Sequence, residues 1–416
     1  MLARAAGGSI IHTTADWSQI APTRPSSPLD PDSPEYRLSD LDALVRDAAQ
    51  YGQQVMINIT ATPKWANGGK AQSVAPTNLN DLTQFTRMLA SRYSGRNPGL
   101  GSVSKWSVWN EPNLDLFLTP QFRNGKIVSP GIYAKIYAAA YRGIKAGNPL
   151  ALVAAGETSN RGRDRPLPGV SGSVAPATFA RLLAKATPKI KFDAWATHPY
   201  PTSPQLGPTQ KVKWPNVTMT QLQNFGTSLR SWYKRRVPIW ITEYGQQTRP
   251  EVPYGVTKAK QATDARQALR MAATNPYVEM FCWFILRDSN AKTWKSGLVT
   301  TSGARKPAFS TFSSTARALD GQTVWATRGR RPTIRLYVPF LTNSSQTGAV
   351  LGITYRVFDG RRLVAIGQPD SPLSPDQSVT FTAVFSPAAK KTYRLVAIVN
   401  DANGQSETRT VAIVTS

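Results

Sequence analysis

The sequence is poor in the residues on which several kinds of site depend. It contains one cysteine, Cys282, and two histidines, His12 and His198. One cysteine excludes an internal disulfide, and Cys282 lies in the apolar run MFCWFIL, where we expect an inert buried thiol. Two histidines without a CxxC or HExxH spacing provide no basis for a histidine- or cysteine-ligated metal site. We therefore expect neither a metal nor a cofactor.

No apolar run reaches the roughly 18 residues of a membrane span, so no transmembrane segment is expected.

Acidic residues are also scarce, with 24 Asp and Glu against 50 Lys and Arg and a net charge of +26 at pH 7. This imbalance predicts a positive surface field that favours anionic partners such as acidic polysaccharide, nucleic acid or anionic envelopes. The alternative is a host that favours arginine codons, with the charge spread over solvated faces. Specific nucleic-acid binding is not expected, because no recognisable nucleic-acid module or basic helix is present.

The pattern of elements predicts two domains. A chain of 416 residues exceeds the usual size of a single hydrophobic core. Residues 1–320 alternate strands with amphipathic helices, which is typical of a parallel sheet, and the number of units favours a closed (β/α)8 TIM barrel in an α/β fold. Residues 321–416 contain seven segments of alternating polarity, which predict an all-β sandwich resembling immunoglobulin or fibronectin domains. We expect this accessory domain to be a spacer or barrel-packing module, with glycan binding as the alternative.

The first domain has one strand too few for a complete barrel. Seven strands are predicted, at residues 9–15, 55–61, 105–111, 150–155, 192–197, 238–242 and 278–286. Residues 1–7 resemble the tail of a helix, so we expect the first barrel strand to lie upstream of Met1 in an N-terminally truncated chain. No signal peptide is recognisable in the chain. This interpretation predicts a gap between the strand at 9–15 and the strand at 278–286.

Two carboxylates end apolar strands. Glu111 follows such a strand in SKWSVWNEPNLDLFL, and Glu243 ends another in PIWITEYG. The strands of a (β/α)8 barrel deliver functional side chains at their C-terminal ends. Ile239, Ile241 and Glu243 share one face by the two-residue period of a strand. We therefore expect Glu243 to point into the interior that the two isoleucines fill.

Several motifs carry a family resemblance over about residues 8–320. KWSVWNEPN, THPYP and PIWITEYG resemble the acid/base, sixth-strand and nucleophile signatures of the retaining (β/α)8 glycoside hydrolases of clan A. VWNEPNLDLF, FDAWATHPYP and TPKWA are most similar to glycoside hydrolase family 39, with family 5, which includes cellulases, as the near neighbour. The resemblance implies hydrolysis of O-glycosidic bonds in β-linked glycans by double displacement, with Glu111 as acid/base and Glu243 as nucleophile. It also implies a secreted or cell-surface protein of polysaccharide degradation.

The resemblance further implies substrate-binding roles for other residues. The asparagine at the position of Asn110 binds the sugar 2-hydroxyl in the clan. Since strict alternation would separate Asn110 from Glu111, the strand must bend or bulge there if both serve the site. His198 and Tyr200 resemble residues that orient the nucleophile and line the cleavage subsite, and a purely structural histidine is the alternative for His198.

Aromatic residues supply two candidate sugar platforms. Trp283 on the last strand resembles the stacking platform of the clan, because an aromatic face matches the apolar face of a pyranose ring. Trp65, after the second predicted strand of this chain, is a candidate second platform. His12 stands where the clan often has an arginine beside the nucleophile. Glu157, in AAGETS, is predicted to reach the mouth of the barrel as a substrate ligand or a loop cap.

Two long loops are basic and rich in proline and glycine, at residues 159–176 and 201–221. Loops on this face of a barrel set specificity, so we expect an oligo- or polysaccharide substrate that is acidic. The basic residues concerned are Arg161, Arg163, Arg165, Lys211 and Lys213. The rival hypothesis is a catalytically impaired carbohydrate-binding protein on a truncated barrel. The sugar, the linkage, exo or endo action and the oligomeric state stay open.

Overall fold

The computed structural model describes residues 2–289, 294–318, 321–337, 352–368, 378–400 and 406–415. Its helices are α1 (Leu2–Ala5), α2 (Trp17–Ile20), α3 (Ser39–Gln50), α4 (Leu79–Arg92), α5 (Ser129–Gly147), α6 (Pro176–Leu183), α7 (Leu222–Tyr233), α8 (Lys258–Thr274) and α9 (Pro307–Ala318). The strands up to Trp283 are β1 (Ile10–Asp16), β2 (Gln54–Thr60), β3 (Lys105–Val108), β4 (Phe122–Arg123), β5 (Lys126–Ile127), β6 (Leu152–Ser159), β7 (Ala194–His198), β8 (Ile239–Tyr244) and β9 (Val278–Trp283).

Seven of these strands form one parallel sheet in the order β1-β2-β3-β6-β7-β8-β9. Each connection between neighbours in this sheet carries at least one helix, so the predicted strand and helix alternation is confirmed. The strands are mostly buried on both sides, as expected for a parallel sheet covered by helices. The small hairpin of β4 and β5 lies within the connection between β3 and α5. The architecture is that of a TIM barrel, as the sequence predicted.

The core of the barrel has two layers, one inside the curled sheet and one between the sheet and the helices. The layer to which a strand residue belongs shows which way its side chain points. A small cluster is built from strand residues alone and fills the inside of the curled sheet; its buried members are Met56, Ala154, Ala194, Ala196 and Trp240. The larger cluster combines strand residues with helix residues such as Phe85 and Phe179 and lies between the sheet and the helices. Ile239 and Ile241 belong to this outer layer. The expectation that they fill the barrel interior is therefore wrong.

The barrel is open between β1 and β9. These strands are the two edges of the sheet, and among the described residues no hydrogen-bonded ladder joins them. A cavity of about 1090 Å³ lies at this opening, lined by residues of both edges and extending to Glu243. Next to it, Ala6 packs with Phe309 and Phe312 of α9 in one cluster. The predicted gap is confirmed.

The C-terminal part contains seven strands in its described residues: β10 (Gly321–Ala326), β11 (Thr333–Tyr337), β12 (Gly352–Asp359), β13 (Arg362–Gly367), β14 (Ser378–Thr382), β15 (Thr392–Asn400) and β16 (Ser406–Thr415). They form a five-stranded sheet in the order β10-β16-β15-β12-β13 and a two-stranded sheet of β11 and β14. Ile334 and Phe381 of the smaller sheet share a hydrophobic cluster with Tyr355, Leu395 and Ile413 of the larger one. None of the helices within the described ranges is long and apolar enough to cross a membrane.

Candidate active site

The backbone bends where β3 delivers Glu111. Trp109 and Glu111 have φ values of 71° and 36°, a left-handed region that side-chain-bearing residues seldom adopt. The Trp109 amide donates to the Ile59 carbonyl at 2.6 Å, and its indole Nε1 donates to the Phe117 carbonyl at 2.6 Å. These bonds hold the bend expected beside Asn110. Such backbone strain concentrates at functional sites.

Glu243 reaches the same place through a second irregularity. The pairing of β8 with β9 shifts register between Ile241 and Tyr244. Trp240 faces the interior and Ile241 the helix layer, so regular alternation would direct residue 243 towards the helices. The register shift ends that alternation. Glu243 therefore meets the residues of β7 at the mouth of the barrel.

His198 joins the two carboxylates. Its Nδ1 lies 3.0 Å from Glu111 Oε1 and 3.7 Å from Glu243 Oε2. The Tyr200 hydroxyl donates to Glu243 Oε2 at 2.9 Å. The His198 side chain is fully buried, whereas those of Glu111 and Glu243 are 17% and 18% exposed. Four residues from three strand ends thus form one cluster, and its two carboxylates open to solvent.

The charges in this cluster depend on one another. Burial raises the pKa of Glu243 to about 7, against the opposing attraction of His198. Burial acts to lower the pKa of His198, but the carboxylates of Glu243, Glu111 and Glu157 hold it well above its usual value. Burial also raises the pKa of Tyr200 well above its usual range, so its hydroxyl stays a hydrogen-bond donor. An imidazolium between carboxylates is the expected state at neutral pH.

Glu157 does not lie at the mouth. The strand β6 runs past its predicted end and includes Glu157, whose side chain is completely buried. Its Oε2 lies 2.8 Å from His198 Nε2 and accepts from the Thr242 hydroxyl at 2.6 Å. The expected roles of substrate ligand and loop cap are therefore wrong, because the side chain is enclosed behind His198. A carboxylate within an apolar run, in AAGETS, was the signal for a buried partner.

A bulge in β6 aims Glu157 inward. The register between β6 and β7 shifts between Gly156 and Thr158, and Gly156 and Glu157 have φ values of 106° and 46°. A Cβ at Gly156 would lie 2.6 Å from the Trp195 ring and 2.7 Å from the Ala196 carbonyl oxygen. Only glycine fits this position without displacing its neighbours.

The substitution Gly156→Ala is therefore expected to destabilise the protein by roughly 3 kcal/mol, from overpacking and left-handed strain together. Gly125→Ala is the matched control, because Gly125 also has a positive φ, 74°, with nothing within 4 Å of an added Cβ. Urea denaturation followed by tryptophan fluorescence measures both variants. Equal shifts of the two midpoints would contradict the steric argument.

Asn110 and Trp65, two other predicted site residues, differ in how far the protein itself occupies them. Asn110 Oδ1 is buried and has no hydrogen-bond partner among the described residues. Trp65 donates from Nε1 to the Ala21 carbonyl at 2.7 Å, and the Arg24 guanidinium covers one face of its ring at 4.5 Å. The Trp17 ring also packs against Trp65 in a T-shaped contact with ring centroids 5.5 Å apart, so the protein itself already occupies part of this candidate platform.

The predicted sugar platform Trp283 is fixed by contacts with other side chains and with the backbone. Its Nε1 donates to the Ser296 carbonyl at 2.9 Å, and its ring packs edge-on against Tyr244 and Phe312. Sequence reasoning missed Trp294, which is 36% exposed and lies 5.5 Å from the Tyr200 ring. Trp294 lies in a loop outside the strand pattern, which is why no periodicity singled it out.

His12 is the residue that departs from the clan pattern. It lies on β1, and its Nε2 is buried without a hydrogen-bond partner among the described residues. Burial lowers its pKa, so it is neutral where an arginine would carry a charge. His198 is therefore the cation beside the two exposed carboxylates.

Comparison with known proteins gives a family. The model of the cellulase family, glycosyl hydrolase family 5, matches residues 3–288. No curated protein matches the sequence.

Three solved structures are similar to this chain, and the two with TM-scores above 0.5 support the fold. A family 39 glycoside hydrolase from Bacteroides cellulosilyticus WH2 is 16% identical with a TM-score of 0.55, covering 92% of this chain and 76% of its own. A GH5_18 protein from Streptomyces cattleya, in complex with GlcNAc, is 16% identical with a TM-score of 0.54, covering 79% of this chain and 77% of its own. A β-glucuronidase from Bacteroides uniformis is 12% identical with a TM-score of 0.48; it covers 100% of this chain, which spans 42% of its length.

The clan A resemblance expected from the motifs is confirmed, and the matched family is the one that was expected as the near neighbour. The matched segment takes in all seven strands of the barrel sheet and the whole cluster around His198. The chain belongs to the cellulase family, glycosyl hydrolase family 5.

Proposed function

We propose that the protein is a retaining β-glycosidase in which Glu111 is the acid/base and Glu243 the nucleophile. One observation carries the proposal: both carboxylates lie within 3.7 Å of the same nitrogen, His198 Nδ1. Retaining enzymes need their two carboxyl groups about 5 Å apart, so that the second can attack the anomeric carbon directly. A shared nitrogen, hydrogen-bonded to Glu111 and near Glu243, is compatible with that spacing.

The proposed reaction has two steps. Glu111 donates its proton to the glycosidic oxygen while a Glu243 oxygen attacks the anomeric carbon, so the bond to the leaving group breaks and a glycosyl ester forms. Glu111, now a carboxylate, takes a proton from water, and the water oxygen displaces Glu243 from the sugar. Tyr200 donates a hydrogen bond to Glu243 Oε2 and so orients the attacking carboxylate. Asn110 is proposed to bind the 2-hydroxyl, with Trp283 and Trp65 as candidate platforms.

The proposed substrate is a β-linked glycan that carries acidic groups. Arg161, Arg163, Arg165, Lys211 and Lys213 are all exposed. They belong to the loops that follow β6 and β7, on the face of the barrel where Glu111 and Glu243 lie. The chain has 50 basic and 24 acidic residues, and this net positive charge would attract an acidic polymer. A secreted or cell-surface location and an accessory role for residues 321–416 complete the proposal.

Proton NMR of a digest tests the mechanism. With aryl β-glycosides of xylose, glucose, galactose and glucuronic acid, the first product detected is expected to be the β-anomer, before mutarotation. A first product of α configuration would overturn retention. Initial rates in the same assay test the substrate class: the glucuronide should be cleaved fastest, with a rate that falls as salt is added.

The open edge of the barrel favours a second candidate, a carbohydrate-binding protein without turnover. β1 and β9 are unpaired with each other in the described sheet, and the cavity between them reaches Glu243. A folded protein that retains an acidic polysaccharide in affinity electrophoresis but cleaves none of the glycosides would support this candidate.

A further inference from the structure

We propose that Glu157 is a positioning residue that keeps His198 doubly protonated and fixed in orientation between Glu111 and Glu243. The inference rests on the proposed glycosidase function and adds a residue that never meets the substrate. Glu157 has no contact with solvent, and it acts on the two partly exposed carboxylates through the imidazole. It therefore controls the proton that His198 presents to the site.

The geometry places a carboxylate oxygen within hydrogen-bond distance of each ring nitrogen of His198. Nε2 lies 2.8 Å from Glu157 Oε2, and Nδ1 lies 3.0 Å from Glu111 Oε1. An ionised carboxylate only accepts, and the carbonyl oxygen of a protonated Glu111 still accepts from Nδ1 while its other oxygen holds the proton for the leaving group, so a doubly protonated imidazole satisfies both contacts. With both carboxylates ionised, a neutral imidazole satisfies only one of them. The Thr242 hydroxyl, at 2.6 Å, holds Glu157 Oε2 in place.

The burial of both groups explains why they are paired. The side chains of His198 and Glu157 are completely inaccessible to solvent, and an unpaired charge at such a site would be very unfavourable. Together they bury a charge-assisted hydrogen bond of zero net charge. Removing the charge of Glu157 alone leaves the imidazolium without its buried counter-ion.

The backbone is distorted to place this carboxylate. Ala154 faces the barrel interior and Ala155 the helix layer, so regular alternation would direct Glu157 outward. The bulge, with positive φ at Gly156 and Glu157, reverses that direction. Left-handed backbone at a residue with a side chain is strained, and the fold accepts this strain at Glu157.

The titratable side chains that face His198 are Glu111, Glu157, Glu243, His12 and Tyr200. Glu243, Glu111 and Glu157 raise its pKa, while His12, which is neutral, faces it from β1. His198 lowers the pKa of Glu243 more strongly than Glu157 raises it. A neutral His198 would therefore allow burial to raise the pKa of Glu243 further, and the nucleophile would need a higher pH to ionise.

Nitrogen-15 NMR of the imidazoles tests the inference directly, because the protein has only two histidines. The spectrum of His12→Asn assigns His198. In the wild type, both His198 nitrogens should stay protonated across neutral pH. In Glu157→Gln, one of them should titrate at lower pH than in the wild type, and the acidic limb of the kcat/KM profile should move to higher pH. We expect kcat/KM to fall about 100-fold at the wild-type optimum, as for a misplaced catalytic group.

Two further variants separate charge from packing. Thr242→Val removes the hydrogen bond of an uncharged donor to the same oxygen and leaves the charge of Glu157 in place, so we expect a loss of about tenfold in kcat/KM with the imidazole still doubly protonated. Glu157→Asp keeps the charge on a shorter side chain, so the imidazole should titrate between the wild type and Glu157→Gln. If Glu157→Gln does not fold, the titration of His198 in Glu157→Asp tests the inference in its place.

The outcomes distinguish the two proposals. A His198 titration and a pH profile that Glu157→Gln leaves unchanged, even with lower thermal stability, would overturn the positioning role and leave a structural one. A wild type that cleaves no glycoside, combined with the expected change in the His198 titration, would overturn the glycosidase proposal and leave the control of the His198 proton by Glu157 intact.

Discussion

Replacing Glu243 with glutamine is expected to abolish the cleavage of aryl β-glycosides, with a loss of at least about 10⁴-fold in kcat, as for other covalent nucleophiles. Glutamine has nearly the same shape and can keep the hydrogen bond from Tyr200, but its amide oxygen is not a nucleophile that can form the glycosyl ester. The fold should be preserved, since the Glu243 side chain is partly exposed. The loss should therefore appear in kcat in a protein that is still folded.

Intact mass after incubation with activated 2-deoxy-2-fluoro β-glycosides identifies the nucleophile, because these inactivators trap the covalent intermediate. The wild type should gain the mass of one sugar, mapped by peptide analysis to Glu243, and Glu243→Gln should gain none. Glu279→Gln is the matched control, since Glu279 is exposed and pairs with Arg236 away from the cluster. An adduct on Glu111, or full activity in Glu243→Gln, would contradict the assignment.

The substitution Glu111→Gln is expected to slow cleavage by a factor that depends on the leaving group. A positioned general acid contributes about 10² to 10⁴-fold, so glycosides with poor leaving groups, such as methyl glycosides and oligosaccharides, should lose that much. Dinitrophenolate is a leaving group that needs no protonation. The formation of the glycosyl ester from dinitrophenyl glycosides should therefore be nearly unaffected. Deglycosylation also needs Glu111 as base, and the covalent intermediate should accumulate.

Stopped-flow release of dinitrophenol measures this difference as a burst followed by a slow steady state. Glu111→Ala provides the complementary test, because azide can enter the space left by the carboxylate and attack the intermediate. We expect azide to restore the steady-state rate and to yield a β-glycosyl azide. Equal losses for good and poor leaving groups, with no burst and no rescue, would show that Glu111 is not the acid/base.

The main outline of this protein could be predicted from short-range patterns in the chain. The alternation of strands and helices predicted the parallel sheet and the open edge between β1 and β9. The positions of Glu111 and Glu243 at strand ends predicted that they would meet, because the C-terminal ends of barrel strands converge. His198 and Tyr200 were found by resemblance, and both contact the carboxylate pair.

The side-chain directions near the site could not be predicted in the same way. Regular alternation placed Ile239 and Ile241 in the barrel interior, but they lie in the helix layer. Glu243 nevertheless reaches the mouth, because the register of β8 shifts after Ile241. A one-residue slip reverses every later side chain on a strand, and such a slip depends on neighbouring strands rather than on the strand's own sequence.

The sequence by itself determined the alternation of strands and helices, the seven strands of the barrel sheet and the two residues proposed for the chemistry, because periodicity and strand ends are local properties. Only the tertiary structure decided that Glu157 is enclosed behind His198, that Trp283 is held by Ser296 and Phe312, and that Trp294 faces Tyr200. These contacts join residues from separate strands and loops. They depend on bulges and loop paths that arise only when the strands pack together, so no local pattern contains them.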